Sequence, residues 1–132
     1  TWEKNYAARL GLGAAVDYAL GLGLDAIRAR CLHLTDHVKA ELERLPRVTL
    51  HDLGRDRAAI VSFAVRGLAS EAIRSELTQR AINVSVSKPN STLLDASARN
   101  LPTVLRVSPH YYNSEDEIDL FVDALNDIVA SG

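Results

Sequence analysis

Two rhythms of apolar and polar positions run along this chain of 132 residues, and they mark out its elements. Leu24, Ile27, Cys31, Leu34, Val38, Leu42 and Leu45 recur at steps of three or four with charged residues between them. That period places them on one face of a helix. The spacing predicts about 22 residues of helix, ~33 Å long, which Pro46 stops. Ahead of it, the stretch 6–22 is rich in Ala and Leu, with Gly at 11, 13, 21 and 23. It reads as a closely packed helix that ends at Gly21-Leu22-Gly23.

The rhythm then shortens. Val48 to Leu50 and Ala58 to Val65 read as two antiparallel strands separated by the polar stretch Asp52 to Arg57, because β-branched and apolar residues dominate them. Ser70 is read as the cap of a helix with Ile73 and Leu77 on its buried side, Val84 to Ser87 as a third strand, and Thr103 to Ser108 as a fourth. Between the last two lies Asn90 to Asn100, read as a polar loop of about a dozen residues, a length that marks function or mobility. Ser114-Glu115-Asp116-Glu117 has the form of a capping box. After it, Ile118, Phe121, Val122, Leu125, Ile128 and Val129 form the stripe of a final helix. The order α-α-β-β-α-β-β-α predicts an α+β fold. Its expected form is a small, mostly antiparallel sheet of about four strands with helices packed on one face, preceded by a long linking helix.

Composition narrows the setting. With 47% hydrophobic and 24% charged residues the chain is of ordinary globular type, and 15 Lys and Arg against 17 Asp and Glu leave a net charge of -2. No overall positive field gathers nucleic acid or anionic lipid, so neither a nucleic acid nor a membrane is an expected partner. The single cysteine, Cys31, permits no internal disulfide, and a reducing cytoplasm is the expected location. Thr1-Trp2-Glu3-Lys4-Asn5 opens without an initiator Met or a signal-peptide pattern, so the chain is expected to be cut from something larger.

Most candidate chemistry fails on inspection. His33 and His37 share a helix face, but a zinc site needs a third ligand, and the reading is a solvated pair. Cys31 lies in an apolar stripe, where a buried inert thiol is expected. Gly11-Leu12-Gly13 has neither the preceding strand nor the following Lys-Ser or Lys-Thr of a phosphate loop. Ser62, Ser85 and Ser108 stand in strands, outside any glycine-flanked elbow. Arg106 is different. A guanidinium in a strand of Val and Leu must find a partner: either a structural salt bridge, or a ligand carboxylate gripped by two parallel hydrogen bonds. The residues alone leave both open.

The run Leu105-Arg106-Val107-Ser108-Pro109-His110-Tyr111-Tyr112-Asn113 and its acidic helix start, together with Gly11-Leu12-Gly13-Ala14-Ala15-Val16-Asp17-Tyr18, Gly23-Leu24-Asp25-Ala26-Ile27 and Ala81-Ile82-Asn83-Val84-Ser85, resemble the class V aminotransferases. These are fold-type-I enzymes using pyridoxal phosphate, cysteine desulfurases and selenocysteine lyases among them. The resemblance covers the whole chain and implies the small C-terminal domain of such an enzyme, with the large cofactor-binding domain absent. On that basis residues 1–22 are the helix leading in from the missing domain, and residues 23–132 are the small domain itself. Arg106 is expected to bind the α-carboxylate of a small amino-acid substrate. Thr1 is expected to help hold the cofactor phosphate of the neighbouring subunit in a homodimer. Only Lys4, Lys39 and Lys88 occur, none in the family's Schiff-base motif, so the isolated chain is expected to be inactive. Desulfurases carry a mobile catalytic Cys where this chain has Asn90 to Asn100, and no Cys stands there. The alternative expectation is a stand-alone module, either binding or regulating through an acidic ligand or serving dimerisation.

Overall fold

The structure, a computed structural model, describes residues 4–54 and 58–132. Its elements run α1 (Tyr6–Leu22), α2 (Leu24–Arg44), β1 (Val48–Leu50), β2 (Val61–Val65), α3 (Ser70–Gln79), β3 (Ser85–Ser87), a 3₁₀ turn (Pro89–Thr92), α4 (Leu93–Arg99), β4 (Val104–Val107) and α5 (Glu115–Ser131). The fold is α+β, as its pattern predicts. The four strands lie in the order β1-β2-β4-β3, and every neighbouring pair is antiparallel.

Alternation along the two central strands divides the sheet into two unlike faces. Val61, Phe63 and Val65 of β2 and Leu105 and Val107 of β4 point into the core. There they meet Leu34, Val38 and Leu42 of α2, Ile73 and Leu77 of α3, and the stripe of α5 from Ile118 to Val129. Phe63 and Phe121 stand edge to face, 6.3 Å between centroids. The intervening residues, Ser62, Ala64 and Arg106, go to the other face. Sequence places β2 from Ala58, but the ladder begins at Val61, whose partner Val107 is the last of β4. Pro109, two residues beyond, has no N–H with which to extend the pairing.

α1 and α2 meet at 80°. Gly23 makes this bend with φ 90, and its N–H closes α1 on the carbonyl oxygens of Ala19 and Leu20. No residue of α1 is buried; Leu10, Leu12, Val16 and Leu20 all face out. Among the described residues no single helix is long and apolar enough to cross a membrane.

Two local readings are corrected. Ser70 is the first residue of α3 and not its cap, a place held by Ala69; the buried Ser70 hydroxyl donates instead to the Thr103 carbonyl oxygen at 2.9 Å, tying α3 to the approach of β4. The stretch Asn90 to Asn100 is not a loop but the 3₁₀ turn and α4, closed by Asn100 in the left-handed region at φ 50. Seven residues are too few to show a helical period in sequence, and Asn is among the side chains that tolerate this cap.

A polar seam joins α2 to α5. The Arg30 guanidinium bridges both carboxylate oxygens of Glu115 and donates to the Asn113 carbonyl oxygen. His33 and His37 are not a free pair: their Nε2 atoms lie 3.1 Å from Glu115 and 2.6 Å from Asp119. The capping box is present, with Ser114 Oγ accepting from the Glu117 N–H and Glu117 accepting from the Ser114 N–H. Hydrogen bonds from Arg30, then from its own backbone N–H, hold the Glu115 carboxyl down from 4.5 to about 2.

Phe63→Ala should cost ~3–5 kcal/mol, since the ring is fully buried against Phe121; urea denaturation reads the loss. Because the folded pKa of Glu115 is depressed, its stabilisation is complete above the unfolded value of 4.5 and is lost as pH falls toward about 2. Thermal melts of wild type and Glu115→Gln should therefore differ at neutral pH and converge across that interval. A constant gap would contradict the Arg30–Glu115 assignment.

Candidate functional site

On the face of the sheet away from the core lies a half-open cleft of about 470 Å³. Arg106 lines it from the middle of β4, directly opposite Ser62 of β2 and Ser85 of β3. Strand period alone aims it there: Leu105 and Val107 are committed to the core, so the residue between them must project the other way. Ser62 and Ser87 share the floor, Ile60, Leu101 and Val104 add apolar area, and Thr92, Asp95 and Arg99 of the 3₁₀ turn and α4 form a wall.

The charges of the cleft are paired, with one exception. Lys39 of α2 lies 3.3 Å from Asp52, both side chains largely buried, and the Asp52 carboxylate also accepts from the Ser62 N–H at 3.1 Å. Arg99 lies 3.0 Å from Asp95 and donates to the His51 carbonyl oxygen. Among the described residues Arg106 makes no hydrogen bond and no ion pair. Among the described residues the cleft thus holds one guanidinium without an acidic partner, beside the Ser62 hydroxyl, an arrangement that suits a single carboxylate.

His51 also lines the cleft. Burial first, then the Arg99 guanidinium, push its imidazole below the usual histidine value, against the opposing pull of Asp52. Its buried Nε2 has no hydrogen-bond partner.

Of the residues singled out in sequence, Arg106 lines this cleft, and so do Ser62 and Lys39, which the sequence reading sets aside. Thr1 lies outside the described residues. Cys31 is buried in α2 as an apolar residue, and the described residues form no group of three metal-ligating side chains. His51, Asp52, Asp95 and Arg99 escaped sequence reading because separate elements bring them together. A partial signal existed in Thr92, Asp95 and Arg99, whose spacing is that of one helix face.

Among the lysines, Lys39 is bound to Asp52 and Lys88 lies 3.5 Å from Glu71, while Lys4 precedes α1.

Comparison with known proteins bears on the family and the fold. The family profile for class-V aminotransferases matches residues 3–121. A cysteine desulfurase of Serratia proteamaculans is 32% identical over 126 residues, covering 96% of this chain and 30% of that protein. A Mycobacterium tuberculosis protein named as a probable hercynylcysteine sulfoxide lyase is 33% identical over 125 residues, 93% of this chain and 31% of its own length. The apo structure of a cysteine desulfurase from Thermococcus onnurineus superposes with a TM-score of 0.85 at 25% identity, covering 92% of this chain and 30% of that one. The chain thus spans about 30% of the length of these relatives. Fold, profile and sequence identity coincide over nearly the whole chain: it belongs to the class-V aminotransferase family.

Proposed function

We propose that this chain is the small domain of a pyridoxal-phosphate enzyme acting on an amino acid, and that Arg106 binds the substrate's α-carboxylate. The observation that carries this reading is the guanidinium of Arg106, which has no ion-pair partner among the described residues, in a cleft whose other described charges are paired. A buried or half-buried guanidinium left without an anion is costly, and a ligand carboxylate supplies the missing partner in bidentate form. Ser62, opposite Arg106 in the ladder and lining the same cleft, is placed to hydrogen-bond the same group. Bound elsewhere in the parent protein, the cofactor supplies the electron sink for breaking bonds at the amino acid's α and β carbons. This chain's part is orientation: it fixes the carboxylate and walls the substrate from water. By the same reading α1 joins the small domain to the large one, and its exposed apolar residues are what the large domain covers. The intact enzyme is a cytoplasmic homodimer, and Thr1 reaches the cofactor phosphate of the neighbouring subunit.

One observation weighs against desulfuration through a cysteine of this domain. The only thiol, Cys31, is buried in α2, outside the residues that line the cleft. No cysteine of this chain lines the cleft to take up a sulfur atom there, so desulfuration through a cysteine of this domain is the disfavoured route.

Arg106→Ala in the intact protein should raise the half-saturating amino-acid concentration about 100-fold, the equivalent of ~2.7 kcal/mol for lost charge-assisted hydrogen bonds, while the visible band of bound cofactor stays in place. Unchanged affinity would remove Arg106 from the reading. Titrated with pyridoxal phosphate, the 132-residue chain alone should develop no lysine-linked absorbance.

A further inference from the structure

The amphipathicity of α4 is inverted. Thr92, Asp95, Ala96 and Arg99 share one face by their spacing, and Thr92, Asp95 and Arg99 line the cleft. Leu93 and Leu94 are 62% and 89% exposed on the outside. Ala96 is the only buried residue of the helix. A helix whose sole task is to roof the sheet would turn its leucines inward. This one turns a hydroxyl, a carboxylate and a guanidinium toward the space where Arg106 waits.

We propose that the 3₁₀ turn and α4 form a specificity wall, in which Thr92, Asp95 and Arg99 read the side-chain end of the amino acid held by Arg106, and that the substrate's side chain ends in a net-neutral polar group such as a second ammonium–carboxylate pair. The inference deepens the amino-acid reading above and rests on it. Charge balance selects the class. Arg106 consumes one carboxylate, and Asp95 with Arg99, 3.0 Å apart, are neutral as a pair. A tail carrying net charge would be attracted by one member of this pair and repelled by the other, at a wall where Arg99 is largely buried and Asp95 is exposed. A zwitterionic tail meets both members at once, its ammonium on Asp95 and its carboxylate on Arg99. The wall is also held in advance, since Arg99 spends its two terminal nitrogens on Asp95 and on the His51 carbonyl oxygen, which reduces the ordering cost of binding. Thr92, whose hydroxyl has no hydrogen-bond partner among the described residues, is available to the same tail.

Two thioethers test this in the intact, cofactor-loaded protein. L-Cystathionine and S-methyl-L-cysteine share the Cβ–S bond and differ in whether the far end carries an ammonium and a carboxylate. Half-saturating concentrations are read from the cofactor's absorbance. Wild type should prefer L-cystathionine by about 10-fold or more. Asp95→Asn and Thr92→Val should each cut that preference several-fold while leaving S-methyl-L-cysteine within about twofold. Absence of a preference in wild type, a preference unchanged in both variants, or an equal loss for both ligands overturns the specificity wall. Arg106→Ala should weaken both ligands alike. If it weakens neither, the carboxylate reading is what fails, whatever the α4 variants do.

Discussion

Everything in this domain depends on the two-residue period of β4. Leu105 and Val107 are claimed by the core, and that claim forces Arg106 onto the opposite face of the sheet. Slipping the register by one residue would bury the guanidinium among Phe63, Leu34 and Leu125 and expose two core residues, so the hydrophobic pattern that fixes the fold also fixes the site. The antiparallel neighbours reinforce the placement. Ser62 and Ser85 lie directly across from Arg106 on both sides, which gives the guanidinium hydroxyl company in place of a carboxylate that would neutralise it.

The acids closest to the cleft are withheld from Arg106 by earlier commitments. Asp52 is taken by Lys39 and by the Ser62 N–H, and Asp95 by Arg99. Because each of these pairs is local to its own part of the wall, the unmatched charge is localised on one residue and not shared across the pocket. That is the condition for a carboxylate clamp: a fixed donor fork with no internal competitor. The one thiol of the chain, Cys31, is buried in α2 and lies outside that wall, and the relatives of this chain include proteins named as a cysteine desulfurase and as a probable hercynylcysteine sulfoxide lyase.

How much of this was legible in sequence follows from the range of the interactions involved. α2 and α5 declared themselves because each carries an apolar stripe over several turns, and the capping box at Ser114 was readable because its two hydrogen bonds span three residues. Arg106 was conspicuous as a charge in an apolar strand, although pattern alone left salt bridge and ligand clamp equal; among the described residues its side chain forms no ion pair, and the acids that share its cleft, Asp52 and Asp95, are paired with Lys39 and Arg99. The rest was hidden for two reasons. Lys39 and Asp52, like Arg99 and His51, meet only after folding. And α4 breaks the rule by which helices are recognised, since its inward residues are polar and its outward ones are leucines, so a period search finds no core-facing stripe there.

That inversion also explains how the domain can hold an underpacked cleft and stay folded. The stabilising contacts are concentrated on one side of the sheet, where α2, α3 and α5 bury the aliphatic residues and the Phe63–Phe121 pair. The Arg30–Glu115 seam locks α2 against α5 on that same side. On the other side α4 contributes one buried methyl group, that of Ala96, and is tethered mainly through Arg99 to the His51 carbonyl oxygen. A wall that adds so little apolar burial can be substituted at Thr92 or Asp95 with little consequence for the core, because neither side chain fills apolar volume. Stability and selectivity therefore reside on opposite faces of one four-stranded sheet, and β4, with its alternating Leu105, Arg106 and Val107, is the strand that belongs to both.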